Sequence, residues 1–387
     1  MQQVLVTRLL GFILISLYLI SGAACICYEI LWTRMLSLQF GVSIFGVVAT
    51  VTAYMAGLGA GSFIGAHYAR KTTHPLRLFA VLELSVAVAA LLIPLLFQFL
   101  DAQFAALAAN VSYPIWLSLQ IVVVTLVLMV PALAMGAGFP LILSAVQNTR
   151  ITLGSIYGIN ALGGAMGALF PLWLLPNFGW LSSLQAVALL GCVVGVIALF
   201  LSWRNESSGG LSVMPAIHRP ANNWLLIYAG IGAGALLLEI GWTRLFGMVM
   251  LRTEYVLAII LAVFLLGIGF GSLVSRYLAQ RFWFALLPII ACSFAILSLW
   301  WLPTLSAWVE AGQFASLTSA LWLQGCAVVT LTLPVTLVLG AWLPLLATRL
   351  GNRFRSGVWL YGANSLGAAF GTMLAGFVLI PSIGSSA

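Results

Sequence analysis

Long apolar runs, each broken off by a few polar residues, follow one another from one end of the chain to the other. A membrane-spanning helix needs roughly 20 mostly apolar residues. The pattern predicts eleven such helices, at roughly 8–31, 40–68, 76–100, 115–146, 153–178, 180–203, 223–246, 254–278, 282–305, 318–348 and 357–380. The first run follows Arg8 and is too long for a secretory signal. No small-residue cleavage site separates it from the next run, so it is read as a spanning helix. The longest polar stretch begins at Arg204-Asn205-Glu206-Ser207 and divides the chain nearly in half.

Composition narrows the class. Of 387 residues, 63% are hydrophobic and 6% charged, and mean hydropathy is +1.17. A soluble domain is about 25% charged, so water cannot wet the surface of this chain. That excludes a soluble enzyme, a disordered chain and a disulfide scaffold. The expected fold is an all-α, polytopic membrane protein, and the lipid bilayer is its first partner.

The net charge of +8 is read as topology, and no nucleic-acid partner is expected. Twelve of the basic residues (Arg8, Arg70, Lys71, Arg77, Arg150, Arg204, Arg219, Arg276, Arg281, Arg349, Arg353 and Arg355) fall on one side of the predicted spans. Arg34, Arg244 and Arg252 fall on the other. Positive charge stays in the cytoplasm, so the N terminus is expected there, in a cell (inner) membrane, with Ala387 outside. Tryptophans near predicted helix ends, among them Trp32, Trp116, Trp203, Trp242 and Trp308, fit an interfacial belt.

The two halves of the chain repeat each other. Glu29-Ile30-Leu31-Trp32-Thr33-Arg34 recurs as Glu239-Ile240-Gly241-Trp242-Thr243-Arg244, and Gly57-x-Gly59-x-Gly61-Ser62 as Gly267-x-Gly269-x-Gly271-Ser272, both 210 residues on. Gly136 to Pro140 recurs as Gly340 to Pro344, and Tyr157-Gly158-x-Asn160 as Tyr361-Gly362-x-Asn364, both 204 residues on. Six helices precede the second copy, so both copies enter the membrane from the same side, as in major-facilitator halves. The expected organisation is a first repeat at 1–203, a cytoplasmic linker at 204–222, and a second, five-helix repeat at 223–387.

These blocks resemble the membrane region of the fused spermidine-synthase-like (polyamine aminopropyltransferase-like) integral membrane proteins. The resemblance rests on Glu29 with Trp32-Thr33-Arg34, the glycines 57 to 65, Pro75-Leu76-Arg77 with Glu83, the Tyr157-to-Gly163 block and Pro176-x-x-Gly179. It implies a major-facilitator-like arrangement and a link to polyamine-type chemistry. The soluble synthase domain that often follows such helices is expected to be absent. The loop after helix 2 (His67-Tyr68-Ala69-Arg70-Lys71) has no acidic residue before its basic pair, unlike many major-facilitator loops.

Several polar groups fall within apolar helices. Carboxylates there are costly and mark function by default. Glu29 and Glu239 each precede an Arg (Arg34, Arg244) by five residues. Either each Glu forms a structural ion pair or bonds nearby backbone, or the two bind a cation, proton or amine. Glu83 has no partner in the second repeat, where Ser293 stands; it either binds substrate or pairs with Arg77 or a helix-5 Asn. Asn160 and Asn364, with Tyr157 and Tyr361, bond between helices or line a cavity; Gln120 and Gln324 take the same two readings. Pro131, Pro140, Pro334 and Pro344 are expected to kink their helices. The glycine ladders read as close helix packing, and the five cysteines as packing residues. His67, His74 and His218 read as loop residues. No metal site, cofactor or catalytic constellation is expected.

Three functional readings follow. The first is a non-enzymatic module that binds or moves a small cationic or amine-bearing molecule. The second is a structural subunit of a larger membrane complex with other membrane subunits. The third is a membrane anchor for a separate synthase-like domain.

Overall fold

The computed structural model describes residues 2–39, 44–147, 149, 151–206, 220–249, 254–278, 281–311, 316–351 and 353–383. Those residues are almost wholly helical, and none of them forms a strand. Lipid offers no hydrogen-bond partners, so the backbone must satisfy itself within each helix. The helices are α1 (Gln2–Gln39), α2 (Ile44–Ala69), α3 (Pro75–Ala108), α4 (Tyr113–Val146), α5 (Leu153–Glu206), α6 (Asn222–Val249), α7 (Glu254–Val274), α8 (Arg281–Ala311), α9 (Leu317–Arg349) and α10 (Arg353–Met373). A π turn (Leu374–Leu379) and a short α11 (Ile380–Ile383) extend α10. Ten helices among the described residues are long and apolar enough to cross a membrane.

The sequence pattern predicts eleven rods, and α5 accounts for the difference. It runs 54 residues, about 80 Å at 1.5 Å per residue, against a hydrocarbon core of about 30 Å. It folds back at Gly179, where φ is +73°, a conformation open to glycine and costly for other residues. Its two arms, 153–178 and 180–206, each match a predicted helix. Leu153 and Ile156 at one end of the run and Val194 and Ala198 near the other share one apolar cluster, so the second arm returns to the side where the first began.

Other expectations change. Arg34 lies inside α1, because that helix continues past its predicted end, whereas Arg244 lies within the predicted span of α6. α4 and α9 stay helical through Pro131, Pro140, Pro334 and Pro344. Trp32 and Trp242 are not belt residues. Both are buried, Trp32 stacked on Tyr28 with ring centroids 5.4 Å apart and Trp242 donating its indole N–H to Ser298 Oγ at 3.1 Å. Trp203 and Trp308 are exposed. Most of the linker, with His218 and Arg219, lies outside the described residues, as do Arg150 and Arg252.

Helix packing follows the repeat. In the first half α1 packs on α5 and α2 on α4; in the second, α6 packs on α10 and α7 on α9. The halves meet where α5 crosses α7 and where α10 crosses α2. These two crossings exchange under the same two-fold relation, since α2 corresponds to α7 and the first arm of α5 to α10.

The core is divided unequally. One large cluster contains Leu14 and Leu17 of α1, Phe139 and Ile142 of α4, Tyr228 of α6, Leu343 and Leu346 of α9 and Val358 of α10. It binds both halves together at the end where α1 and α6 begin. Toward the other end each half has its own cluster: Leu31, Trp32 and Tyr54 with their neighbours in the first, Trp242, Phe246 and Phe264 in the second. α1 and α6 both run from the shared cluster into their own half's cluster, so the two halves are threaded the same way up.

Candidate functional site

Between the halves lies a cavity of about 160 Å³. Its walls come from both repeats in matched pairs. Tyr18 and Tyr228, Ile26 and Leu236, Glu29 and Glu239, and Met55 and Leu265 are each 210 residues apart. Tyr157 and Tyr361, and Asn160 and Asn364, are each 204 apart. None of the lining residues is Lys, Arg or His.

α1 and α6 supply the carboxyl groups. Glu29 lies eleven residues beyond Tyr18, about 17 Å along the helix, and Glu239 stands at the same distance from Tyr228. Both carboxyls therefore sit well above the shared apolar end and at corresponding depths, one from each half. Glu29 is 4% exposed, and its Oε2 has no hydrogen-bond partner. A buried polar atom without a partner is rare, because leaving it unpaired forfeits its full solvation energy.

The asparagines sit lower. Asn160 Nδ2 donates to the Tyr18 carbonyl at 3.1 Å, which fixes its amide against α1. Gly22 of α1 is flush with Asn160, and Gly232 of α6 with Asn364. A Cβ at either glycine would overlap the asparagine, so the glycines set how closely each helix pair approaches. At the bottom, Tyr157 and Tyr361 meet each other above Phe139.

Of the residues singled out from sequence, Glu29, Glu239, Asn160, Asn364, Tyr157 and Tyr361 line this one cavity. Glu83 does not line it. It stands on α3 behind the wall and accepts a hydrogen bond from Ser21 Oγ at 2.6 Å, and Ser21 is itself a lining residue. Its partner is thus on α1, and is neither Arg77 nor an asparagine of α5, the partners that one of the two sequence readings gave it. Arg34 is half-buried near the end of α1, and Arg244 is exposed on α6. Gln120 and Gln324 are buried on α4 and α9, away from the cavity, each with an unpartnered Oε1. Among the described residues no three His, Cys, Asp or Glu side chains converge to hold a metal ion. Sequence reading passed over Tyr18 and Tyr228. The 210-residue spacing links them too, but the residues around them differ between the halves, so no matched block flags them.

The fold agrees with known transporters. A bacterial homologue of the iron transporter ferroportin, solved in an outward-facing state with soaked iron, superposes with a TM-score of 0.55 at 16% identity, over 97% of this chain and 93% of that one. The major-facilitator proton:xylose symporter XylE, bound to 6-bromo-6-deoxy-D-glucose, superposes with a TM-score of 0.53 at 10% identity, over 97% and 89%. The chain is a multi-pass membrane protein with the major-facilitator fold. In sequence, 208 residues, 52% of the chain, are 28% identical to polyamine aminopropyltransferase 1 of Streptomyces coelicolor, and the match spans 36% of that protein's length. No family profile matches the chain.

Proposed function

We propose that this protein binds a small cationic or amine-bearing molecule in the central cavity and moves it across the membrane. One observation carries the reading: Glu29 and Glu239 line the cavity, one from each half, and among the described residues no basic side chain lines it. A buried negative charge attracts a cation strongly where no counter-charge is built in. Asn160, Asn364, Tyr157 and Tyr361 supply neutral donors and acceptors for an amine, and Glu83 reaches the wall through Ser21. The major-facilitator fold supports movement across the membrane, since it seats ligands between two such halves. The charge bias of the loops favours an inner-membrane location with the N terminus in the cytoplasm. The shared apolar cluster then closes the cytoplasmic end.

Uptake into proteoliposomes tests this. Labelled spermidine and methylammonium, beside a neutral sugar and an organic anion, are offered to the parent and to Glu29→Gln. Uptake of a cation that is lost in the variant is the expected result. Sugar or anion uptake, or cation uptake untouched by the substitution, overturns it.

The sequence match to a polyamine aminopropyltransferase favours a second reading, in which these helices serve a synthase-like domain or other membrane subunits as an anchor. Co-purification in mild detergent separates the two: a stable complex with a synthase-like protein and no amine uptake supports the anchor.

A further inference from the structure

The cavity presents nearly the same wall twice. Tyr18, Ile26, Glu29, Met55, Tyr157 and Asn160 are answered by Tyr228, Leu236, Glu239, Leu265, Tyr361 and Asn364. A ligand with one polar end satisfies one wall and leaves the other facing hydrocarbon. A ligand with two equal ends meets the same groups twice.

Charge leads to the same place. Among the described residues the walls hold two carboxyl groups and no basic side chain, so a single positive charge answers only one of them. Glu29 adds an independent sign of a missing ligand: it is 4% exposed, it lines the cavity, and its Oε2 meets no donor. Two ammonium groups, one at each carboxyl, would satisfy both. The paired apolar residues, Ile26 with Leu236 and Met55 with Leu265, suit a hydrocarbon stem joining them.

Size limits the stem. The cavity measures about 160 Å³, and a cavity of about 150 Å³ accommodates benzene, with its six heavy atoms. We infer that the site takes a linear alkyl diammonium ion of about six to eight heavy atoms, held by one ammonium at Glu29 and the other at Glu239. This rests on the cationic reading above and sharpens it. The walls do differ where Ser21, Cys25 and Ala161 are answered by Ile231, Ala235 and Ser365. Ser21 carries the bond to Glu83, so the two ends of the ligand are alike in charge and differ slightly in polar surroundings.

The test is equilibrium binding to the full chain in lipid nanodiscs. The probe is labelled butane-1,4-diamine, displaced by unlabelled diamine or by butan-1-amine. A monoamine forgoes one charge-assisted hydrogen bond, worth about 1.5–3 kcal/mol, or roughly ten- to a hundredfold in affinity. The parent is therefore expected to prefer the diamine by at least about tenfold. Glu29→Gln and Glu239→Gln should each remove most of that preference while leaving the weaker monoamine binding.

Equal displacement by butan-1-amine in the parent overturns the two-ended ligand and leaves the cationic site standing. Absence of binding by either amine overturns both. A diamine preference that survives Glu29→Gln also overturns the inference. The comparison of the two amines on the parent needs no variant, so it decides even if a variant fails to fold.

Discussion

Tyr157 of α5 and Tyr361 of α10 stand edge to face, ring centroids 6.1 Å apart at 75°. Phe139 of α4 packs against both, at 6.4 and 4.6 Å. The two tyrosines correspond in the repeat, so the ring contact joins equivalent points of opposite halves. It forms the floor of the cavity and the top of the apolar cluster that both halves share.

Removing one ring should therefore weaken the joint between the halves. Tyr361→Ala is expected to cost about 2–3 kcal/mol, below the range for a fully buried aromatic ring, because Tyr361 is part-buried on the cavity wall. Tyr361→Phe keeps the ring and should cost less than about 1.5 kcal/mol. Thermal unfolding of both variants in the same detergent checks this. Equal losses in the two would show that the hydroxyl, and not the ring contact, holds the floor.

Glu29 leads to a prediction with the opposite sign. A buried carboxyl without a partner costs either the lost solvation of its charge or the uptake of a proton. Without ligand, Glu29→Gln should raise the unfolding midpoint, because an amide is far less costly to bury than an anion. With excess butane-1,4-diamine the parent should gain stability by mass action, and the variant should not. A variant that melts below the parent without ligand would mean that Glu29 holds a structural partner.

How far was this legible from sequence? The helices were, because lipid enforces long apolar runs and the runs are punctuated by Arg, Pro and Gly. The two-fold relation was, because Glu29-x-x-Trp32 and Tyr157-x-x-Asn160 each recur at a constant spacing. From those blocks alone, six cavity residues could be named. Tyr18 and Tyr228 were not legible, since a cavity floor is set by which side chains point inward and not by local identity. The ends of α1 were also missed. A helix continues past its apolar stretch when its backbone bonds are already made, and hydropathy does not register that. The position of Glu83 depends on the contact between α3 and α1, a tertiary relation with no periodic trace.

Ser21 and Glu83 form a pair whose coupling can be measured. The hydroxyl donates to Glu83 Oε1 at 2.6 Å, a charge-assisted geometry when the carboxyl is ionised. A double-mutant cycle over Ser21→Ala, Glu83→Gln and the double variant is expected to give a coupling of about 1.5–3 kcal/mol. The readout is unfolding free energy. Additive effects would place the two residues as neighbours without a working bond.

The last prediction concerns sidedness. Arg70, Lys71 and Arg204 are exposed at the end where the halves are fused, and the linker 204–222 leaves from that end. The turn 109–112 between α3 and α4 lies at the opposite end and carries no charged residue. Basic residues resist transfer across the inner membrane, and their distribution sets orientation. A reporter phosphatase active only outside the cytoplasm should therefore be active when fused within 109–112 and silent within 204–222. A fluorescent protein that matures only in the cytoplasm should show the reverse. If both reporters invert, the protein sits the other way up, and the fused end faces outward with the cavity approached from the cytoplasm.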